Sequence, residues 1–229
     1  MIPWILLDEA PVPEGRGDLL LYQRGEEFSI RIVGRGELMN SRAHGSEDAL
    51  ASLACERLAE RSRPRILIGG LGMGFTLAAA LRELGPDAQV VVAELIPAVV
   101  AWNRGALAAL AGCPLQDARV TVREVDVGRI LKTERKAFDA ILLDVDNGPE
   151  GLTRDANDWL YGPGGVLAAY EALRPNGILA VWSAGQDREF TDRLRQAGFE
   201  TEEVRVRARG TKGSRHIIWL ARRVALGGS

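Results

Sequence analysis

The chain of 229 residues is 46% hydrophobic, which provides for a substantial core in one large domain, or one domain with a small appendage, and makes disorder unexpected. Lys and Arg number 29 against 31 Asp and Glu, a net charge of -2, so no global charge marks nucleic acid or an anionic membrane as partner. The opening Met1-Ile2-Pro3-Trp4-Ile5-Leu6-Leu7-Asp8 has too short an apolar run, and too early an acid, for a signal peptide or a membrane span; a cytoplasmic protein is expected.

Residues 4–9, 18–23 and 27–40 run apolar or alternate around turn signals, Glu14-Gly15-Arg16-Gly17 and Arg24-Gly25-Glu26, with a further glycine pair at Gly34 and Gly36. They predict a small antiparallel β element of about three strands within residues 1–44. At Gly45 the pattern changes. Ser46 is a candidate N-cap with Glu47 and Asp48 in the first turn, and Leu50, Leu53, Ala54 and Leu58 recur at helical spacing. This helix links the β element to the larger domain, residues 45–229. Cys55 and Cys113 stand far apart, without ligand-like spacing to the only histidines, His44 and His216. Buried thiols in a reducing compartment are expected, and no metal site.

The stretch Arg65-Ile66-Leu67-Ile68-Gly69-Gly70-Leu71-Gly72-Met73-Gly74-Phe75-Thr76 reads as strand, turn, helix. Gly69, Gly70, Gly72 and Gly74 reach backbone angles closed to other residues and leave no Cβ, so a ligand can lie against the main chain beside the unpaired N–H groups of the helix start. A tight turn that merely packs helix on strand would use the same residues. Twenty residues past Gly74, a second buried run, Gln89 to Glu94, ends in a carboxylate. That spacing suits an acid that accepts hydrogen bonds from ribose hydroxyls, and loop plus acid predicts a nucleoside-type cofactor.

Pro97 opens a helix predicted to run to about Ala111. Val120 to Asp126 is a third strand, Val127 to Leu131 starts a short helix, and Phe138 to Asp144 is a fourth strand. Glu94, Asp126 and Asp144 thus sit at successive strand ends, which border the ligand crevice of an open parallel sheet. Any one of them could instead cap the following helix. Val145 to Gly165 shows little periodicity and predicts a long loop over the crevice, in which Trp159 and Tyr161 either line a substrate pocket or anchor the loop. A helix over 166–173, a strand over 178–182 and an amphipathic helix over 187–197 follow, with Trp182 and Trp219 expected in the core. Val204 to Arg207 and His216 to Ala221 then form a hairpin rather than another β-helix-β unit. Its arginines, Arg205, Arg207, Arg209 and Arg215, with Lys212, read as a charge-protected edge rather than a nucleic-acid surface.

A doubly wound α/β sheet ending in an antiparallel hairpin marks the Rossmann-like class I AdoMet-dependent methyltransferase fold more than the NAD dehydrogenases, whose third glycine would fall at Phe75. From about residue 18 to 222 the chain resembles the spermidine synthase (polyamine aminopropyltransferase) family, including Val33-Gly34-Arg35-Gly36-Glu37-Leu38, which looks like that family's strand pair before the linking helix. The resemblance implies that Gly69 to Gly74 form the cofactor loop, that Glu94 holds the ribose, that Asp126 meets the adenine amino group and that Asp144 takes the proton from the attacking amine. It also implies a homodimer through the N-terminal β element.

The departures from that family concern the substrate end. Gly72 stands where the family's loop carries an aspartate for the aminopropyl amine, and Gly45-Ser46-Glu47-Asp48-Ala49 stands where an acidic pair and a tyrosine meet the polyamine. Asp144 and Asp146 are the candidate catalytic acids. Glu47, Asp48, Asn147, Trp159 and Tyr161 are candidate substrate contacts, with solvated helix-start acids as the plainer reading of Glu47 and Asp48. His44 is either a base or a loop histidine with a local hydrogen bond. The cofactor would be S-adenosylmethionine or decarboxylated S-adenosylmethionine, and the substrate a small molecule, a polyamine for aminopropyl transfer. Methyl transfer to a small molecule and a non-catalytic nucleoside-binding scaffold are the alternatives.

Overall fold

The apolar runs in the middle of the chain are buried on both faces, as strands covered by helices on either side must be. They assemble into a seven-stranded sheet of β5 (Arg65–Gly69), β6 (Gln89–Glu94), β7 (Val120–Glu124), β8 (Phe138–Leu143), β9 (Leu173–Ser183), β10 (Phe199–Arg209) and β11 (Lys212–Arg223). Its order is β10-β11-β9-β8-β5-β6-β7, parallel from β9 to β7 and antiparallel at the β10-β11-β9 end. The structure is a computed structural model that describes residues 2–12, 17–145, 159–209 and 212–224.

Alternate residues of one strand serve opposite cores: Ile66 and Ile68 pack on one face of the sheet and Leu67 on the other. The first face is covered by α1 (Gly45–Glu56), α2 (Phe75–Glu83) and α3 (Pro97–Arg104), the second by α4 (Val127–Thr133), α5 (Pro163–Ala172) and α6 (Arg188–Gln196). From β5 the chain winds outward to β6 and β7, then returns to place β8 and β9 on the other side of β5. The carboxyl ends of β5 and β8 therefore flank the point where the winding reverses, the place where such sheets bind ligands.

A separate antiparallel sheet holds β1 (Ile5–Pro11), β2 (Asp18–Arg24), β3 (Glu27–Ile32) and β4 (Gly36–Asn40) in sequential order. Its inner residues Leu19, Leu21, Ile30 and Ile32 join the same core as α1 and α2. Asp8 accepts a hydrogen bond from the Trp102 indole at 2.6 Å, which ties β1 to α3.

Several sequence expectations change. The N-terminal element has four strands, not three, because Gly34 and Gly36, both at positive φ, fold residues 27–40 into a hairpin. Ser46 is not an N-cap: the helix already starts at Gly45, and the Ser46 hydroxyl bonds side chains instead. The helix from Pro97 stops at Arg104, and 108–111 is a 3-10 turn. The helix predicted over 166–173 begins at Pro163, whose fixed φ suits a first turn, and β9 starts directly after it with Arg174 to Gly177 bulged out of register with β8. Residues 159–161 are helical rather than loop. Both cysteines are free, and among the described residues no group of His, Cys, Asp and Glu could hold a metal ion, nor is any helix long and apolar enough to cross a membrane.

Candidate active site

Three of the four glycines are required by packing. A Cβ on Gly70, at φ +89°, would stand 2.3 Å from the Asp144 carbonyl oxygen; on Gly74, 2.9 Å from Asn103 Oδ1; on Gly69, 2.9 Å from Val127. Gly72 differs. At φ +53° its Cβ would meet only the flexible Met39 thioether, at 3.3 Å. The loop is held from two sides. Asn103, buried in α3, donates to the Gly72 carbonyl at 2.8 Å, and buried Glu94 accepts the Leu71 N–H at 2.9 Å and the Ile96 N–H at 2.9 Å. Glu94 therefore stands against the loop and fixes its shape.

A cavity of about 40 Å³ opens beside Gly72, lined by Met39, Asn40, Leu71, Phe75 and Thr76 and by two carboxylates, Glu47 and Asp144. It admits a small group, such as a methyl or the end of an amine chain. Asp144 follows the last residue of β8, its N–H bonded to the Gly69 carbonyl, and its Oδ2 accepts from the Thr76 hydroxyl at 2.6 Å. Desolvation, with the Glu47 charge adding to it, pushes the Asp144 pKa up to about 7 against the lowering effect of Thr76. Burial likewise raises the pKa of Glu47, opposed by the Ser46 hydroxyl bonded at 2.6 Å.

The two helix-start acids part company. Glu47 faces the cavity, so the plainer reading fails for it, whereas Asp48 pairs on the surface with Arg82 at 3.1 Å and His44 at 2.8 Å. His44 thus makes the local bond, and its ring stacks on Phe75. Asp126 caps α4, accepting from the Gly128 N–H at 2.6 Å. Tyr161 is buried, bonded through its hydroxyl to the Val145 carbonyl and packed edge-on against Phe190, so it anchors and does not line the cavity. Trp159 packs against Gly128 and Gly164 under the Lys132 ammonium. Asp146 and Asn147 lie outside the described residues. Sequence reasoning gave no role to Thr76, Asn103 or His216, and to Ser46 only that of an N-cap, since an isolated polar residue on a helix or strand carries no spacing signal.

No protein-family profile matches the chain, and no curated protein matches it by sequence. Solved structures do. A spermidine synthase in complex with the transition-state analogue AdoDATO superposes with a TM-score of 0.73 at 15% identity, over 95% of this chain and 72% of that one. The chain has the class I methyltransferase-like fold. A probable spermidine synthase from Corynebacterium glutamicum matches at TM-score 0.65 and 16% identity, over 98% of this chain and 83% of that one. Burkholderia thailandensis 1,6-didemethyltoxoflavin-N1-methyltransferase, with its substrate and S-adenosylhomocysteine, matches at 0.55 and 18%, over 80% of each chain. At these identities the likeness is one of fold. In the methyltransferase-like fold of this chain, Glu94, the glycine loop and Asp144 lie together at the carboxyl ends of β6, β5 and β8.

Proposed function

We propose that this chain is an AdoMet-type transferase that moves an aminopropyl group from decarboxylated AdoMet to a small amine, a polyamine by the resemblance. The observation that carries the reading is the pair Glu47 and Asp144, two carboxylates facing one cavity beside the glycine loop. Paired acids there attract a cationic amine and then relieve it of a proton. The two spermidine synthase structures match 95% and 98% of this chain, a span that takes in its N-terminal sheet, which agrees with the reading.

In this reading the residues fit the nucleoside: Gly69 to Gly74 keep the main chain bare, Glu94 holds the ribose hydroxyls and Asp126 meets the adenine amino group. When bound, decarboxylated AdoMet supplies a carbon next to a sulfonium sulfur, where an amine lone pair forms the new bond as the carbon–sulfur bond breaks and its electrons stay on sulfur. Asp144 takes the amine's proton at Oδ1, since Thr76 occupies Oδ2. A carboxyl poised at about 7 is suited to that work near neutral pH. Leu71, Met73 and Phe75 give the cavity its apolar walls.

One observation favours a second reading. Gly72 leaves the loop without the acid that would meet an aminopropyl amine, and bare loop amides accept the carboxylate of intact AdoMet, the donor for methyl transfer. Calorimetric titration with decarboxylated AdoMet, AdoMet and methylthioadenosine decides between them. Tighter binding of the decarboxylated form supports aminopropyl transfer, tighter binding of AdoMet supports methyl transfer, and silence from all three rejects both. Aspartate tolerates the left-handed conformation at position 72, so Gly72→Asp should fold and bind the decarboxylated form tighter than the parent does. The reading also carries a homodimer in which edge strand β1, with Ile5, Leu6 and Leu7 exposed, meets a second copy. Light scattering should then report a dimer that Leu7→Lys converts to monomer.

A further inference from the structure

Behind the carboxylate pair runs a line of hydrogen bonds that the transfer reaction does not use. His216 on β11 contacts Ser46 Oγ through Nδ1 at 2.9 Å, and Ser46 Oγ donates to Glu47 Oε2 at 2.6 Å. Ser46 is buried and His216 half-buried, with its ring 4.7 Å from that of Trp182. A serine hydroxyl has one proton. With that proton on the Glu47 side the imidazole donates from Nδ1, and the line runs from His216 through Ser46 to the Glu47 carboxylate; the other tautomer, with Nδ1 accepting, would run it backwards.

The two carboxylates are therefore supported differently. The Thr76 hydroxyl serves either state of Asp144, donating to the carboxylate or accepting from the acid. In the Nδ1–H tautomer of His216, Ser46 accepts from the ring and keeps its own proton for Glu47, which favours the charged form there. Two acids at one site resist ionising together, so the better supported one keeps the charge. From this geometry we propose that Ser46 and His216 are positioning residues that hold Glu47 as the charged member of the pair, leaving Asp144 to carry the shared proton until a cationic ligand displaces it.

Among the described residues, no cation forms an ion pair with either carboxylate. On α1, Asp48 is engaged by His44 and Arg82; on α2, Thr76 is the polar group that faces Asp144; on β4, Asn40 lines the cavity with its amide turned to Glu27 and Glu37. Beside His216, β10 presents Val206 and β9 the Trp182 ring. Burial lowers the His216 pKa, which favours the neutral ring.

The proposal deepens the transferase reading, since the displaced proton belongs to its general base, yet it is tested on the free protein. Side-chain carboxyl carbons are followed by NMR across pH, with Glu47 and Asp144 identified by their loss in Glu47→Gln and Asp144→Asn. In the parent, Glu47 should titrate well below Asp144. In Ser46→Ala the Glu47 midpoint should rise and the Asp144 midpoint fall, each by about one pH unit. His216→Phe, which keeps a ring against Trp182, should move both in the same senses by less, and it stands as the test if Ser46→Ala does not fold. Unchanged midpoints, midpoints that move together, or a parent in which Glu47 titrates above Asp144 would overturn the proposal. Failure of every AdoMet compound to bind would instead reject the transferase reading and leave these midpoints standing.

Discussion

Strand β8 carries an aspartate near each end, and the two live under opposite electrostatics. Asp139, buried near its amino end, accepts from Arg174 at 2.7 Å and from the Arg65 N–H at 2.8 Å, with Arg61 3.4 Å away. Asp144, just past the carboxyl end, has the Thr76 hydroxyl as partner and a second carboxylate, Glu47, across the cavity. The first arrangement sets guanidinium groups and an N–H around a buried charge; the second withholds such compensation. Uncompensated buried acids cluster where a ligand supplies the missing charge, so the difference is the one expected between a structural aspartate and the general base proposed above.

Stability should divide the two ends most sharply. Asp139→Ala leaves the Arg65 N–H and the Arg174 guanidinium without their acceptor, removes the charge beside Arg61, and should cost about 2 to 3 kcal/mol in urea denaturation. Asp144→Asn should do the reverse near neutral pH. The folded pKa of Asp144, about 7, lies above its ordinary 3.8, so between those values the unfolded chain releases a proton that the folded protein keeps. Rising pH therefore removes stability through that window and then levels off. The asparagine variant lacks this loss, and its advantage in denaturation midpoint over the parent should grow from pH 5 to pH 7. Equal pH slopes for both proteins would mean that Asp144 is as well compensated as Asp139.

Removing the neighbour is a subtler probe. Glu47→Gln deletes the repulsion that raises Asp144, so the acid limb of Asp144 titration should move to lower pH while Asp139→Asn leaves it in place. The smallest effect belongs to the rim of the amino end, where Arg222 and Glu200 pair in solvent. Arg222→Ala should change stability by about 0.5 kcal/mol or less, within reach only of careful denaturation replicates.

The fold was largely legible because its signals are local. Buried runs such as Ile66 to Ile68, glycines at the strand-to-helix turn and the terminal hairpin each follow from backbone and solvation physics that neighbouring residues share. The same holds for the strand-end acids, since Glu94 and Asp144 sit at the ends of β6 and β8 whatever the rest of the chain does. Boundaries were less legible where packing decides them, as at Arg104, where the α3 helix ends, and at Pro163, where α5 begins before the apolar residues that mark it.

The sequence by itself determined the alternation of strands and helices, the glycine turn and the row of acids at the carboxyl ends, because periodicity and turn chemistry act over a few residues. Only the tertiary structure decided which acid does what. Glu47 and Asp48 are adjacent in sequence, yet α1 aims one at Asp144 and the other at Arg82. Ser46 and His216 lie 170 positions apart and meet because the hairpin of β10 and β11 folds back beside α1. Side-chain charge depends on burial and on partners distant along the chain, and these exist only once the sheet has closed.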